Sequence, residues 1–294
     1  MNVARGTTEL PTTIDDDDSS ENFYEKQVLK LTTVASASSI LANILISVTI
    51  IKYKNLRRSV TNTIILHIVL VQIISLVLDE VLLWFFTYFG TPLPQYHSEF
   101  CVIFVAVRIM NAISFLFMIL LVCNWYFKLY SNESKYSRFC KYHRFFLVLI
   151  YFVSILVFPF LTKMCLRKDV FATFYVVLSI QIVMIVFCAY MNVVGKFKSR
   201  SSFDHDVGLG VANITIVFCT PAYFFLVLAY YNLVPTYVVL FADILATGVF
   251  PFVLVYMYKC DRNFQMYFKK LISCRNGGLE NGSVSYNLIN HVET

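Results

Sequence analysis

Residues 101–129 read CVIFVAVRIMNAISFLFMILLVCNWYFKL. A helix crosses a bilayer with about 20 mostly apolar residues, and this run exceeds that with one charge, Arg108, ahead of Lys128 at its end. The apolar residues are continuous rather than alternating, which excludes a lipid-facing β-barrel strand. In lipid no water pairs with free backbone groups, so the run must be helical despite its Val, Ile and Phe content. Six further runs of this kind lie at 31–51, 63–89, 145–165, 171–194, 207–231 and 237–258. Only 14% of the 294 residues are charged while 58% are hydrophobic. A soluble surface takes about a quarter charged residues, so a soluble enzyme or nucleic-acid-binding domain is excluded.

The spans give the expected fold: an all-α membrane protein, a seven-transmembrane helix bundle at 31–260. A tail at 1–30, carrying Asp15 to Asp18, Glu21 and Glu25, is expected to be extracellular, acidic and disordered. Residues 261–273 place Phe264, Tyr267, Phe268, Leu271 and Ile272 on one face beside Lys269 and Lys270, the pattern of a short amphipathic helix at the interface. Residues 274–294 form the remaining tail. The first 27 residues lack the apolar core of a cleavable signal peptide.

Orientation follows from Lys and Arg. They gather after span one (Lys52, Lys54, Arg57, Arg58), after span three (Lys128, Lys135, Arg138, Lys141, Arg144), after span five (Lys196, Lys198, Arg200) and after span seven. The intervening loops hold Lys163, Arg167 and Lys168 alone. The N-terminus is therefore expected outside and the C-terminus in the cytoplasm, as in a plasma-membrane protein that also visits endosomes. The net charge of +6 is explained by this distribution and points to membrane lipid, not nucleic acid.

Several residues carry a resemblance. Leu41-Ala42-Asn43-Ile44-Leu45, then Lys54-Asn55-Leu56-Arg57 with Thr61-Asn62, then Cys101 and Cys165, and finally Pro159, Pro221 and Pro251 occur in the order of the rhodopsin-like G-protein-coupled receptors. The chain resembles that family over most of its length. The Thr-rich, acidic N-terminus is similar to that of chemokine receptors, most of all to the divergent homologues encoded by cytomegaloviruses. The resemblance implies a disulfide between Cys101 and Cys165, an extracellular ligand that is chemokine-like, and a G protein or another receptor as partner. It implies no cofactor.

The departures bear on activity. The family's helix-two Asp is Gln72, its Asp-Arg-Tyr is Asn124-Trp125-Tyr126, and its helix-seven Asn-Pro-x-x-Tyr is Phe250-Pro251-Phe252-Val253-Leu254. Without the helix-three Arg, the transducer-facing segment at Asn124, Trp125 and Tyr126 loses a permanent charge and a fork of donors. Weak or atypical G-protein coupling is expected, as in a scavenger or a modulator of other receptors. The chain also lacks the N-terminal Cys of the second chemokine-receptor disulfide, and Leu240 replaces that subfamily's helix-seven Glu.

The charges within the spans are the candidate ligand site, because burial in a membrane costs several kcal/mol per unpaired charge. Asp79 and Glu80 lie in span two. Arg108 is seven residues from Cys101, about 10 Å at 1.5 Å per residue. Asp243 lies eight residues before Pro251. Arg108 is expected to pair with Asp79 or Glu80, as a ligand pocket or as an ion-pair cluster that fixes helix packing. Tyr24, between Glu21 and Glu25, is a further ligand-binding and sulfation candidate. His67 reads as a packing or hydrogen-bonding residue. With no paired Cys motif, nucleophile–base pair or phosphate loop, neither a metal site nor an enzyme is expected. In the tail, Cys274 is a palmitoylation candidate, and Tyr286 with Ile289 matches a Tyr-x-x-apolar sorting signal. Two other classes remain open: a small-molecule chemosensory receptor, and a transporter or channel lined by the same charges.

Overall fold

The computed structural model describes residues 17–89, 97–167, 170–198, 207–230 and 233–273. Among these every regular element is an α-helix. They are α1 (Asp17–Lys52), α2 (Lys54–Arg58), α3 (Val60–Phe89), α4 (His97–Tyr130), α5 (Glu133–Leu166), α6 (Val170–Lys198), α7 (Val207–Tyr230), α8 (Thr236–Thr247), α9 (Val249–Cys260) and α10 (Arg262–Ile272). Among the described residues six stretches are long and apolar enough to cross a membrane: Lys30–Lys52, Val60–Leu82, Ser98–Tyr130, Glu133–Leu166, Val207–Ala229 and Tyr237–Cys260. The chain is a multi-pass membrane protein. The apolar stretch of α6, Leu178–Val194, is shorter.

α4, the helix that contains 101–129, is the centre. Two thirds of its apolar window is buried, 67% against 11% for α5. It packs on α3, α5, α6 and α7. α5 lies at the periphery and turns Phe145, Val148, Ile155 and Phe160 outward, an apolar surface that only lipid or a partner covers without cost. Around α4 the core contains Ile46, Ile64, Ile68, Val105, Phe117, Met118, Leu121 and Met184.

α3 and α4 run antiparallel and are joined by polar rungs one helical turn or more apart. Asn124 Nδ2 donates to Thr61 Oγ1 (2.9 Å), Gln72 Nε2 to Ser114 Oγ (2.9 Å) and Ser75 Oγ to Asn111 Oδ1 (3.0 Å). On the peripheral side of α3, His67 Nδ1 meets the Tyr151 hydroxyl of α5 at 3.1 Å, and both rings pack on Phe117. α6 and α7 are joined by reciprocal amide bonds between Asn192 and Asn213 (2.9 and 3.1 Å). Near the start of α7, Gly210 lies under the Tyr256 ring of α9, where a Cβ would overlap the ring.

Three expectations change. α1 begins at Asp17, so the segment from 17 to 30 is helical where a disordered tail is expected from the sequence. The basic residues 135–144, read as a loop, belong to α5, which starts at Glu133. Hydropathy marks where hydrocarbon ends, and a helix need not end there. The run 237–258 is two helices, α8 and α9, separated at Gly248. Pro251 has no N–H to offer the Thr247 carbonyl, and its ring crowds that turn. The Ser39 hydroxyl of α1 donates to the Thr247 carbonyl instead.

α10 is held by its own cap and by rings. Asp261 Oδ1 accepts from the Phe264 N–H at 3.0 Å, which satisfies one of the free donors at a helix start. Phe264 and Phe268 are buried while Ile272 is exposed. Tyr267 stacks on Tyr53 at 4.5 Å and accepts from Asn55 Nδ2 at 2.9 Å.

Candidate functional site

The polar ladder between α3 and α4 opens above its last rung. Along α3 the residues at 72, 75 and 79 follow helical spacing on one face, and α4 presents 114, 111 and 108 opposite them. The first two rungs are closed by hydrogen bonds. At the third, Asp79 and Arg108 both line a cavity of about 210 Å³. α1 contributes Thr32 and Ser36, α3 adds Glu80, α4 adds Asn111, and α8 adds Asp243 and Thr247. The four intramembrane charges singled out in the sequence thus share one chamber.

Arg108 does not close the chamber as a simple ion pair. Among the described residues no Arg108 nitrogen comes within 4.0 Å of an Asp79, Glu80 or Asp243 oxygen. The expected direct pairing is therefore replaced by a longer-range arrangement. The Arg108 guanidinium lies 5.1 Å from the centre of the Phe104 ring, a cation–π contact with a ring on the same helix. It faces Asp79 and Asp243 across the chamber. Its Nε is buried and makes no hydrogen bond. Asp79, Glu80 and Asp243 thus set three carboxylates around one guanidinium. Acidic groups outnumber basic ones in the lining, which suits it to a cationic group.

The chamber lies at the end of the bundle tied by Cys101 and Cys165. These two are disulfide-bonded with a Cα–Cα distance of 5.7 Å, and both are fully buried. The bond fixes the first turns of α4 against the last turn of α5, two α4 turns from Arg108.

At the other end a second polar cavity, about 240 Å³, is lined by Ser59, Thr61, Asn62, Lys128, Asp261 and Arg262. The three residues taken as transducer-facing sit beside it unequally. Asn124 and Trp125 are buried, Asn124 being spent on Thr61. Trp125 packs edge-on against Tyr130 at 5.7 Å. Tyr126 alone keeps partial exposure and tilts onto Tyr130 at 5.5 Å. Two of the three are thus helix-packing residues, because their α4 positions face the core.

Sequence reading missed Ser36, Asn111 and Thr247. Asn111 is three residues from Arg108 and shares its face, so helical spacing was the available signal. Ser36 and Thr247 enter only through the packing of α1 on α8 and α9. Tyr24 lies in α1, but its side chain is outside the described residues, as are Cys274, Tyr286 and Ile289. No group of three or more His, Cys, Asp or Glu among the described residues is placed to hold a metal. No protein-family model matches the chain, and no curated protein matches it.

Proposed function

We propose that this chain is a receptor of rhodopsin-like architecture that binds a basic extracellular ligand, of chemokine-like kind, through the acidic chamber. The observation that carries the reading is the convergence of Asp79, Glu80, Asp243 and Arg108 in one cavity at the disulfide-tied end. α6, 29 residues and therefore about 43 Å long, is the fifth span in chain order and brings their number to seven. α10 is an amphipathic helix lying at the interface, with Phe264 and Phe268 inward. The N-terminus is outside at the plasma membrane, where acidic residues steer a basic ligand inward.

On the opposite side coupling is weak. Asn124, in place of the family's Asp, is committed to Thr61, and Trp125, in place of its Arg, is buried. Only Lys128 and Arg262 bring positive charge to the cavity there. A ligand shifts a receptor only by its unequal affinity for two states, and a transducer that gains little from the second state gives little output. The protein then acts as a scavenger or as a modulator of other receptors.

Labelled basic chemokines added to cells expressing the chain test the reading. Saturable binding lost on Asp79→Asn with Asp243→Asn, at equal surface expression, supports it. Binding that ignores those carboxylates, or none across the chemokine set, overturns it. Inositol phosphate and cAMP in the same cells test coupling: robust signalling abolished by a G-protein inhibitor would refute the weak-coupling part.

A further inference from the structure

An apolar groove on the outside of the bundle has a charged end. It runs between α4 and α5, encloses about 560 Å³, and is walled by Leu116, Cys123 and Phe127 on one side and Phe146 and Ile150 on the other. Lys135 and Arg138 close one end. From Arg138 to Ile150 is about 18 Å along α5, and from Leu116 to Phe127 about 16 Å along α4. One leaflet of a bilayer core is about 15 Å deep. The groove therefore has the depth of a single leaflet, apolar along that depth and basic at the headgroup level.

We infer that this groove holds an anionic phospholipid, one acyl chain lying between α4 and α5 and the headgroup phosphate on Lys135 and Arg138. The two cations are three residues apart on one helix face. Both are exposed, and among the described residues no carboxylate lies within ion-pair distance of either. Glu133, one turn away and also exposed, is the nearest acid in sequence and does not line the groove. α5 has 34 residues and is about 51 Å long, well beyond the roughly 30 Å hydrocarbon core, so its first turns stand among headgroups. A neutral lipid would satisfy the apolar walls but leave the paired charge without a counterion. A basic pocket between spans at headgroup level is the chemistry that selects anionic headgroups. The inference is independent of the acidic chamber and of what that chamber binds.

Native mass spectrometry of the full chain in detergent, titrated with phosphatidylserine or phosphatidylcholine, tests it. Phosphatidylserine should bind more tightly. Lys135→Gln with Arg138→Gln should weaken phosphatidylserine roughly thirtyfold and phosphatidylcholine, whose phosphate is offset by its own ammonium, severalfold less. Lys141→Gln with Arg144→Gln removes the same charge from α5 residues that do not line the groove, and should change neither. Cys123→Phe fills the groove and should weaken both lipids, with unchanged thermal unfolding showing that the fold survives. Equal affinity for the two lipids, or equal loss in the control pair, overturns the inference. So does a dimer that forms in place of the lipid adduct.

Discussion

The Ser39 hydroxyl donates to the Thr247 carbonyl, joining α1 to the break between α8 and α9. Pro251 stands four residues beyond Thr247 and has no N–H to supply. Ser39, fully buried, takes over the acceptor. Ser39→Ala should lower stability by about 1 kcal/mol, since a buried carbonyl loses its donor. In a Pro251→Ala background the backbone N–H returns and the cost of Ser39→Ala should shrink. Thermal unfolding of the four proteins in detergent measures the coupling, and strictly additive effects would disprove it.

The disulfide supports α4 near its N-terminal end. Cys101→Ser with Cys165→Ser releases a closed loop with a sequence separation of 64, and loss of such a bond costs about 2–5 kcal/mol. Reduced melting temperature and reduced surface expression are expected. Alkylation of native protein without reductant should leave both residues unlabelled; labelling of either would show that the bond does not form.

Arg108 balances three carboxylates at a distance. Arg108→Leu should reduce surface expression and melting temperature. The loss should be smaller than the about 3–5 kcal/mol of a fully buried broken pair, because Arg108 makes no direct ion pair with any of the three. Adding Asp79→Asn removes one of the stranded charges and should restore part of the loss. No change on Arg108→Leu, or a double variant worse than the single, argues that the chamber is not held by charge balance.

The amide pair at Asn192 and Asn213 is mutual. Asn213→Leu leaves Asn192 with its bond to the Cys188 carbonyl but without its partner across the helices. Interhelical side-chain bonds in membranes average about 0.6 kcal/mol, so a small destabilisation is expected. The double change to Leu should be close to neutral by comparison with either single change. Equal costs for single and double variants in unfolding experiments would contradict this. Asn213 lies in an Asn-Ile-Thr sequon, and glycosylation there is incompatible with the pair; an intact mass without added sugar is the check.

Six spans were legible because about 20 apolar residues are needed wherever lipid surrounds a helix. The helical start of α5 was not, since Lys135 and Arg138 look the same to a hydropathy window in a loop or a helix. The gathering of Asp79, Glu80, Arg108 and Asp243 could be anticipated from their depth along each span. Their spacing could not, because the Arg108 side chain chooses the Phe104 face over a carboxylate. The disulfide was legible only through family resemblance: eight cysteines without short motifs do not announce a partner. The burial of Asn124 and Trp125 depends on how α4 is rotated in the bundle, which no local signal reports.

The break at Gly248 also gives the last span a mechanical character. α8 and α9 are each 12 residues, about 18 Å, and have the geometry of two short levers sharing a joint. One lever carries Asp243 into the acidic chamber, and the other carries Tyr256 over Gly210. A straight rod would deliver a push at its outer end undiminished to the inner one. A jointed rod pinned at its joint by Ser39 can absorb it. Spin labels on α8 and on α9 should report distances to α1 that vary independently of each other; distances that change together would show a rigid rod.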